Sequence, residues 1–382
     1  MKKIWNSTTI STGIAMFAMF FGAGNVIFPL GIGQYAGDQN AIATFGLLLT
    51  AVLMPFAGVF AMILFDGSYH HFFDRIGKIP GFLLAFMTIT LLGPIGSTPR
   101  CIALTYTTLK SSFPSISATL FSAVACLVIY LFARQKKRIL EILGYMLTPM
   151  LILCLSSIIF IGFLIPSEVL TNQTSSLSMF LHGLKEGYNT MDLLAAFFFS
   201  SAIISILKGK NRENGNGYLE LMLRSSLIGG ILLALVYIGF SSISSFHNGG
   251  LELTSKDELL TALTLKIAGP YANLLVCLTV TLACLTTAIA LISAFSDFAQ
   301  KMVFLEKISY ETTLTGALLI TFAISTLQFT GISAFLDPIL QICYPGLIVL
   351  TLLNIVYKLT GFKPIKTPVF VTFAIAAIIY FL

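Results

Sequence analysis

The sequence predicts an all-α polytopic membrane protein of about eleven spans, with an inverted five-plus-five repeat whose first and sixth helices are discontinuous. Three observations carry this expectation. Of 382 residues, 57% are hydrophobic and only 10% are charged. A water-soluble domain carries about 25% charged residues, so this chain cannot clothe a soluble surface. Apolar stretches long enough to cross a bilayer recur along the whole chain, and two of them, five spans apart, carry breaking residues near their centres.

A spanning helix needs about 20 mostly apolar residues. On that measure the spans fall near 9–35, 41–65, 80–110, 117–133, 139–165, 187–207, 219–246, 267–298, 310–330, 332–357 and 365–382. No stretch between them is long enough to fold as a separate soluble domain. Residues 1–382 are therefore expected to form one integral membrane domain, with repeat one at about 8–165, repeat two at about 186–358 and an extra C-terminal helix at about 364–382. The N-terminus has the charge pattern of a signal peptide, but its apolar stretch is too long for one and reads as a retained first span.

Orientation follows from Lys and Arg, which concentrate on the cytoplasmic side of a membrane protein. With the N-terminus in the cytoplasm, the inner segments hold Lys2, Lys3, Arg75, Lys78, Arg134, Lys136, Lys137, Arg138, Lys208, Lys210, Arg212, Arg224, Lys301, Lys307, Lys358, Lys363 and Lys366, which is 17 of the 22. The outer segments hold 4 (Lys110, Lys185, Lys256 and Lys266), and Arg100 falls within a span. The run RQKKR reads as a cytoplasmic anchor, not as a nucleic-acid contact.

The first span contains FFGAGNVIFP, Phe20 to Pro29. Each glycine destabilises a helix by about 1 kcal/mol relative to alanine and bares the backbone. Bare backbone at membrane depth is tolerated only against protein, water or a ligand. GAGN therefore has two readings, close helix packing or a break in the helix. Asn25, a polar group within the membrane, and Pro29, placed to restart a helix at its first position, favour the break. In the sixth span, MDLLAAFFFSSAIISIL, Ser200 and Ser201 stand near the middle, where their hydroxyls can satisfy a loosened backbone. Spans one and six have opposite directions, so a five-span repeat is inverted. Paired broken helices in inverted repeats are a signature of secondary transporters, with half-helix N-termini facing a carboxylate and unwound carbonyls facing a cation.

Span eight carries Ala283, Thr286 and Thr287 in an A-x-x-T-T pattern. The two hydroxyls either bond back to their own helix or, with the Ala283 carbonyl, offer neutral oxygens to a hard cation. GPIGSTPR in span three predicts a bent or broken helix. Arg100 beyond it either snorkels or lines an outer vestibule, and Asp192 lies at the outer end of span six. Asp337 is placed to cap the start of span ten, and Asp66 and Asp297 to sit at solvated ends. The six cysteines have no metal-type spacing and read as buried thiols. No nucleophile with a base, paired carboxylates or His cluster points to an enzyme.

MFAMFFGAGNVIFPLGIGQYAG, LLGPIGSTPR, EGYNTMDLLAAFFF and LACLTTAIALISAFSD, in that order, resemble the hallmarks of the bacterial branched-chain amino acid permeases, the LIVCS family. The likeness covers nearly the whole chain. It implies a leucine-transporter fold and cation-coupled symport of leucine, isoleucine and valine across the bacterial inner membrane, with sodium as coupling ion and no cofactor. The family commonly has twelve spans; here the ten-helix core is present with an eleventh. The resemblance places sodium on the carbonyls of Ala18 and Phe21 with Ala283, Thr286 and Thr287. It places the substrate carboxylate on the amides around Gly22, Ala23 and Gly24, and the amino group on carbonyls from Phe198 and Phe199 to Ser200 and Ser201. Asn25 either completes a second cation site or holds the broken helix in shape. The expected partners are a small amino acid and the lipid bilayer, with the oligomeric state left open. The alternatives are a methionine or broader neutral amino acid carrier, proton coupling, and, in a different class, a channel or a sensor. A channel would need a continuous polar lining, and a sensor usually adds a soluble signalling domain.

Overall fold

The computed structural model describes residues 7–135, 147–165, 169–210, 217–251, 254–269 and 272–381. Lys2, Lys3, Lys136, Lys137, Arg138, Arg212 and the start of the fifth predicted span lie outside these. Among the described residues the secondary structure is helical. Six helical stretches are long and apolar enough to cross a membrane: Ala23–Leu64, Lys78–Ser112, Ser176–Lys208, Leu219–Phe246, Ala272–Val303 and Gln328–Thr360. Shorter apolar helices accompany them, among them Thr8–Phe20, Ala118–Ala133, Thr148–Leu164 and Lys366–Phe381.

The first predicted span is two helices, α1 (Ser7–Phe20) and α2 (Ala23–Ala36). The second is α3 (Asn40–Leu48) and α4 (Met54–Leu64), joined by a π turn at Leu49–Leu53. After the short α5 (Tyr69–Phe73), the third span divides, as predicted, into α6 (Lys78–Leu92) and α7 (Ser97–Ser112). A Cβ on Gly93 would lie 2.7 Å from Phe295 Cβ, so a bare glycine lets the unwound turn press on the eighth span.

Then come α8 (Ala118–Ala133), α9 (Thr148–Leu164), α10 (Ser176–Asn189), α11 (Asp192–Lys210) and α12 (Gly217–Phe246). They are followed by α13 (Leu259–Ala268), α14 (Ala272–Phe298), α15 (Tyr310–Ser325), α16 (Gln328–Thr360) and α17 (Lys366–Phe381).

Two predicted boundaries are corrected. The sixth helix begins at Ser176, not near residue 187. Its first half, SLSMFLHGLKEGYN, carries Lys185, Glu186 and His182 and is too polar for a hydropathy reading; it forms because Met179, Gly183 and Gly187 are buried, the glycines against α3 and the π turn that follows it. Asp337 does not cap span ten, because α16 starts at Gln328 and Asp337 lies inside it.

Lipid tails are as apolar as leucine, so membrane helices associate through close packing and hydrogen bonds. The α12 helix supplies both to the broken first helix. Ser225 Oγ donates to the Thr9 carbonyl (3.0 Å), and a Cβ on Gly13 would strike Ile228 (2.8 Å). Along α2, Ser244 Oγ donates to Leu30 O (2.7 Å) and Ser245 Oγ to Gly37 O (2.6 Å). One continuous helix thus splints both halves of a discontinuous one. The α3–α4 pair does the same for the sixth helix: Thr50 Oγ1 donates to Leu184 O (2.9 Å) on α10, while Gly58 of α4 faces Leu193, Ala196 and Phe197 of α11.

Candidate functional site

The break in the first helix is a cut hydrogen bond. In an unbroken α-helix the Gly22 amide would donate to the Ala18 carbonyl four residues back. Instead it donates to the side chain of Asn25 (Oδ1, 3.1 Å), and the last turn of α1 closes with Phe21 N on Phe17 O (2.8 Å). Asn25 therefore caps α2 from its third position, relieving one of the orphan donors of a helix start. The freed Ala18 carbonyl is taken by a different helix: Thr287 Oγ1 of α14 donates to it at 3.2 Å.

The sixth helix is cut in the same way. Met191 adopts a left-handed conformation (φ 64°), which ends α10 at Asn189 and starts α11 at Asp192. The Leu193 amide, whose helical acceptor would be the Asn189 carbonyl, donates to the Tyr344 hydroxyl of α16 (3.0 Å). The Asn189 carbonyl accepts from Arg100 Nη2 of α7 at 2.8 Å. At both breaks the stranded amide is capped by one side chain and the stranded carbonyl is captured by another, from a helix packed alongside.

A buried polar network ties the breaks together. Asn25 Nδ2 donates to Asp192 Oδ2 (2.7 Å) and to the Tyr237 hydroxyl, which itself donates to Asp192 Oδ2 (2.8 Å). Of the two roles expected for Asn25, shaping the broken helix is the one this geometry displays. Gly24 is where the two broken helices and α7 converge. A Cβ there would lie 2.6 Å from Arg100 Nη2 and 3.2 Å from both Asn189 O and Thr190 Cα. A Cβ on Gly22 would lie 2.8 Å from Thr287 Cγ2. Both readings of GAGN are thus present at once: the helix is broken, and its glycines admit close neighbours.

Ala18, Thr287 and Gly22 are brought together, with Phe21 buried at the same break. Thr286 also lies at this level, but its hydroxyl donates back to Leu282 O and Ala283 O, both at 3.0 Å. The oxygens are neutral carbonyls and hydroxyls, the donor type that suits a hard cation.

The second break is corrected. It lies at Thr190–Met191, nine to eleven residues before Ser200 and Ser201, which sit inside α11. The Phe198, Phe199, Ser200 and Ser201 carbonyls belong to a continuous helix, not an unwound turn. Phe198 instead joins Tyr69 and Phe298 in an aromatic cluster (5.7 and 5.9 Å between ring centres). Phe198 and Ser201 line a cavity of ≈ 130 Å³ that runs toward Asp297 and Lys301. The Ser200 hydroxyl is buried and has no partner among the described residues.

Pro29 does not start a helix but lies within α2, where its missing N–H leaves the Asn25 carbonyl without a helical donor. Arg100 and Asp192 line no open vestibule: they are 1% and 2% exposed, at the breaks themselves. The guanidinium of Arg100 is flanked by the rings of Phe28 (5.3 Å) and Phe329 (5.8 Å).

Asn189, Tyr237 and Tyr344 were not singled out from the sequence. The signal for the tyrosines was weak, since each is a single hydroxyl in an apolar span. For Asn189 the motif EGYNTMD marked the position, but the break was read ten residues too late.

Among known proteins, residues 5–382 match the family model described as branched-chain amino acid transport protein. The branched-chain amino acid permease BrnQ of Corynebacterium glutamicum is 31% identical over 359 residues, covering 92% of this chain and 82% of that protein. A putative branched-chain amino acid carrier protein of Staphylococcus haemolyticus is 30% identical, covering 94% and 84%. Among solved structures, the manganese transporter of Eremococcus coleocola aligns with a TM-score of 0.63 at 13% identity, over 100% of this chain and 87% of that one. MHP1, a nucleobase-cation-symport-1 family transporter in a closed conformation, aligns at 0.59 and 14% identity, over 99% and 94%. At such identities the likeness concerns the fold, which is that of leucine-transporter-type carriers.

Proposed function

Since this chain belongs to the family of branched-chain amino acid transport proteins, we propose that it imports leucine, isoleucine and valine across the bacterial inner membrane by sodium-coupled symport. Transport proceeds by alternating access around two breaks at the membrane midplane. The chain is not an enzyme; its homologues and fold neighbours are transporters. The observation that carries the reading is the pair of cut helices, whose stranded groups are held by side chains, Asn25 of α2 at the Gly22 amide and Thr287, Tyr344 and Arg100 of other helices at the remaining three. Such a joint can be remade without unfolding either half, which is what a carrier needs at its binding site. Sodium is held by Ala18, Phe21, Ala283 and the Thr286–Thr287 pair, of which Thr287 already bridges the broken helix to α14. Amides of Ala23 and Gly24 at the start of α2 receive the substrate carboxylate, joined by that of Gly22 when it leaves Asn25. The reciprocal splinting, α12 on the first helix and α3–α4 on the sixth, is the packing an inverted five-plus-five repeat requires; about eleven spans with the N-terminus inside complete the topology.

The test is counterflow of labelled leucine in proteoliposomes, with and without a sodium gradient. Accumulation that needs sodium is the expected result. Uptake that follows an imposed pH gradient and ignores sodium would retain the carrier and reject the coupling ion. No leucine exchange, with methionine exchanged instead, would reject the substrate.

A further inference from the structure

Two ionisable groups of opposite sign are buried at the breaks. Arg100 is 1% exposed and Asp192 is 2% exposed. Among the described residues neither forms a salt bridge, with the other or with any third group. A buried charge left without a counter-charge is costly, and structures retain such groups where they have work to do. Arg100 uses Nη2 on a neutral acceptor, the Asn189 carbonyl, and its Nε has no partner among the described residues. Asp192 receives two neutral donors on Oδ2, from Asn25 and Tyr237.

Their placement is ordered along two consecutive residues. Gly24 packs against the Arg100 guanidinium, and Asn25 reaches the Asp192 carboxylate. The first turn of α2 therefore separates a buried cation from a buried anion. A free amino acid is a zwitterion, neutral overall, with its two charges one carbon apart. We infer that Arg100 and Asp192 form a charge clamp for this zwitterion, with Arg100 taking the α-carboxylate together with the α2 amides and Asp192 taking the α-ammonium beside Tyr237. The inference rests on the proposed carrier function and names the groups that read the part of the substrate common to all amino acids.

The chemistry matches on both sides. The guanidinium fork meets a carboxylate with two parallel N–H donors, and its free Nε is available for one of them. The start of α2 adds bare N–H groups and the positive end of the helix dipole. Asp192 has two donors in place, and an ammonium is the charged third. The ligand pairs both buried charges at once, so it favours the state in which the two breaks are closed around it. That difference is what a ligand needs to shift a conformational equilibrium.

The experiment uses three ligands on purified full-length protein: leucine, isoamylamine (leucine without its carboxylate) and 4-methylpentanoate (leucine without its ammonium). Affinities are measured for the wild type, Arg100→Gln and Asp192→Asn, each checked for monodispersity. The wild type should prefer leucine to either truncated ligand by about a hundredfold or more. In Arg100→Gln the preference over isoamylamine should shrink by about tenfold or more while the preference over 4-methylpentanoate survives. Asp192→Asn should do the reverse. If either variant is not monodisperse, Arg100→Lys and Asp192→Glu replace it, and the same selective change should appear at smaller size. A uniform loss for all three ligands, leaving both preferences intact in folded variants, would show that the charges only hold the fold and would overturn the clamp. Wild-type protein that does not bind leucine would instead reject the carrier function on which the clamp depends.

Discussion

Thr287 Oγ1 lies 3.2 Å from the carbonyl oxygen of Ala18, the oxygen that the Gly22 amide leaves when it turns to Asn25. A hydroxyl on the eighth span thus stands in for a hydrogen bond of the first. In the carrier reading, a sodium ion would compete for the same oxygens, and the joint between the two helices would be made through the ion.

Thr287→Val keeps the side-chain shape and removes that hydroxyl. The sodium concentration for half-maximal leucine uptake in proteoliposomes should rise by about tenfold, which is about 1.4 kcal/mol. Thr286→Val should have the smaller effect, because Thr286 Oγ1 is turned back onto its own helix. Unchanged sodium dependence in both variants would remove the pair from the cation site.

Gly22→Ala reaches the same place from the other side. Its Cβ would lie 2.8 Å from Thr287 Cγ2 and 3.0 Å from Thr287 Oγ1, so one of them must shift. The expected outcome is weakened sodium dependence resembling Thr287→Val, together with a lower melting temperature. A variant with lowered stability and unaltered sodium dependence would assign Gly22 to packing alone.

Gly24→Ala should reduce leucine affinity by about tenfold, about 1.4 kcal/mol. The added methyl meets Arg100 Nη2 at 2.6 Å, and the backbone of Asn189 and Thr190 stands at 3.2 Å on its other sides. Affinity and melting temperature are read on the same monodisperse sample. Normal affinity in a destabilised protein would mean that the glycine serves only the close approach of the two broken helices.

Asn25→Ala should destabilise the protein by about 1–3 kcal/mol, because buried donors and acceptors lose their partners. The Gly22 amide loses its cap, and Asp192 and Tyr237 lose a shared donor. Thermal unfolding in detergent measures this. A melting temperature equal to that of the wild type would show that water replaces the amide at no cost.

Orientation is tested with single cysteines in a Cys-free background. Gln173→Cys, on an exposed position in the segment before α10, should react with an impermeant maleimide added outside whole cells. Lys307→Cys, exposed between α14 and α15, should react only after permeabilisation. The opposite pattern would invert the topology.

By itself the sequence determined that this is a membrane protein, because 10% charged residues cannot cover a soluble surface. It also determined that the first and third spans are interrupted, since Gly22, Gly24, Gly93 and Gly96 lie where helix formers belong, and backbone preference is local. The break of the sixth helix was legible as existing but not as placed. It depends on Met191 at φ 64°, a conformation that no local signal announces and that neighbours from other helices must hold. The first half, α10, was hidden for a related reason: its polar residues mask a helix whose small faces, Gly183 and Gly187, are defined only by α3 and the π turn after it. Only the tertiary structure decided that Asn25 meets Asp192 and Tyr237, which are 167 and 212 residues away in the chain. Only it brought Arg100 to Gly24. Hydrogen bonds and buried charges choose partners across the whole packed interior, and periodicity along one chain segment carries no record of which helix will lie beside it.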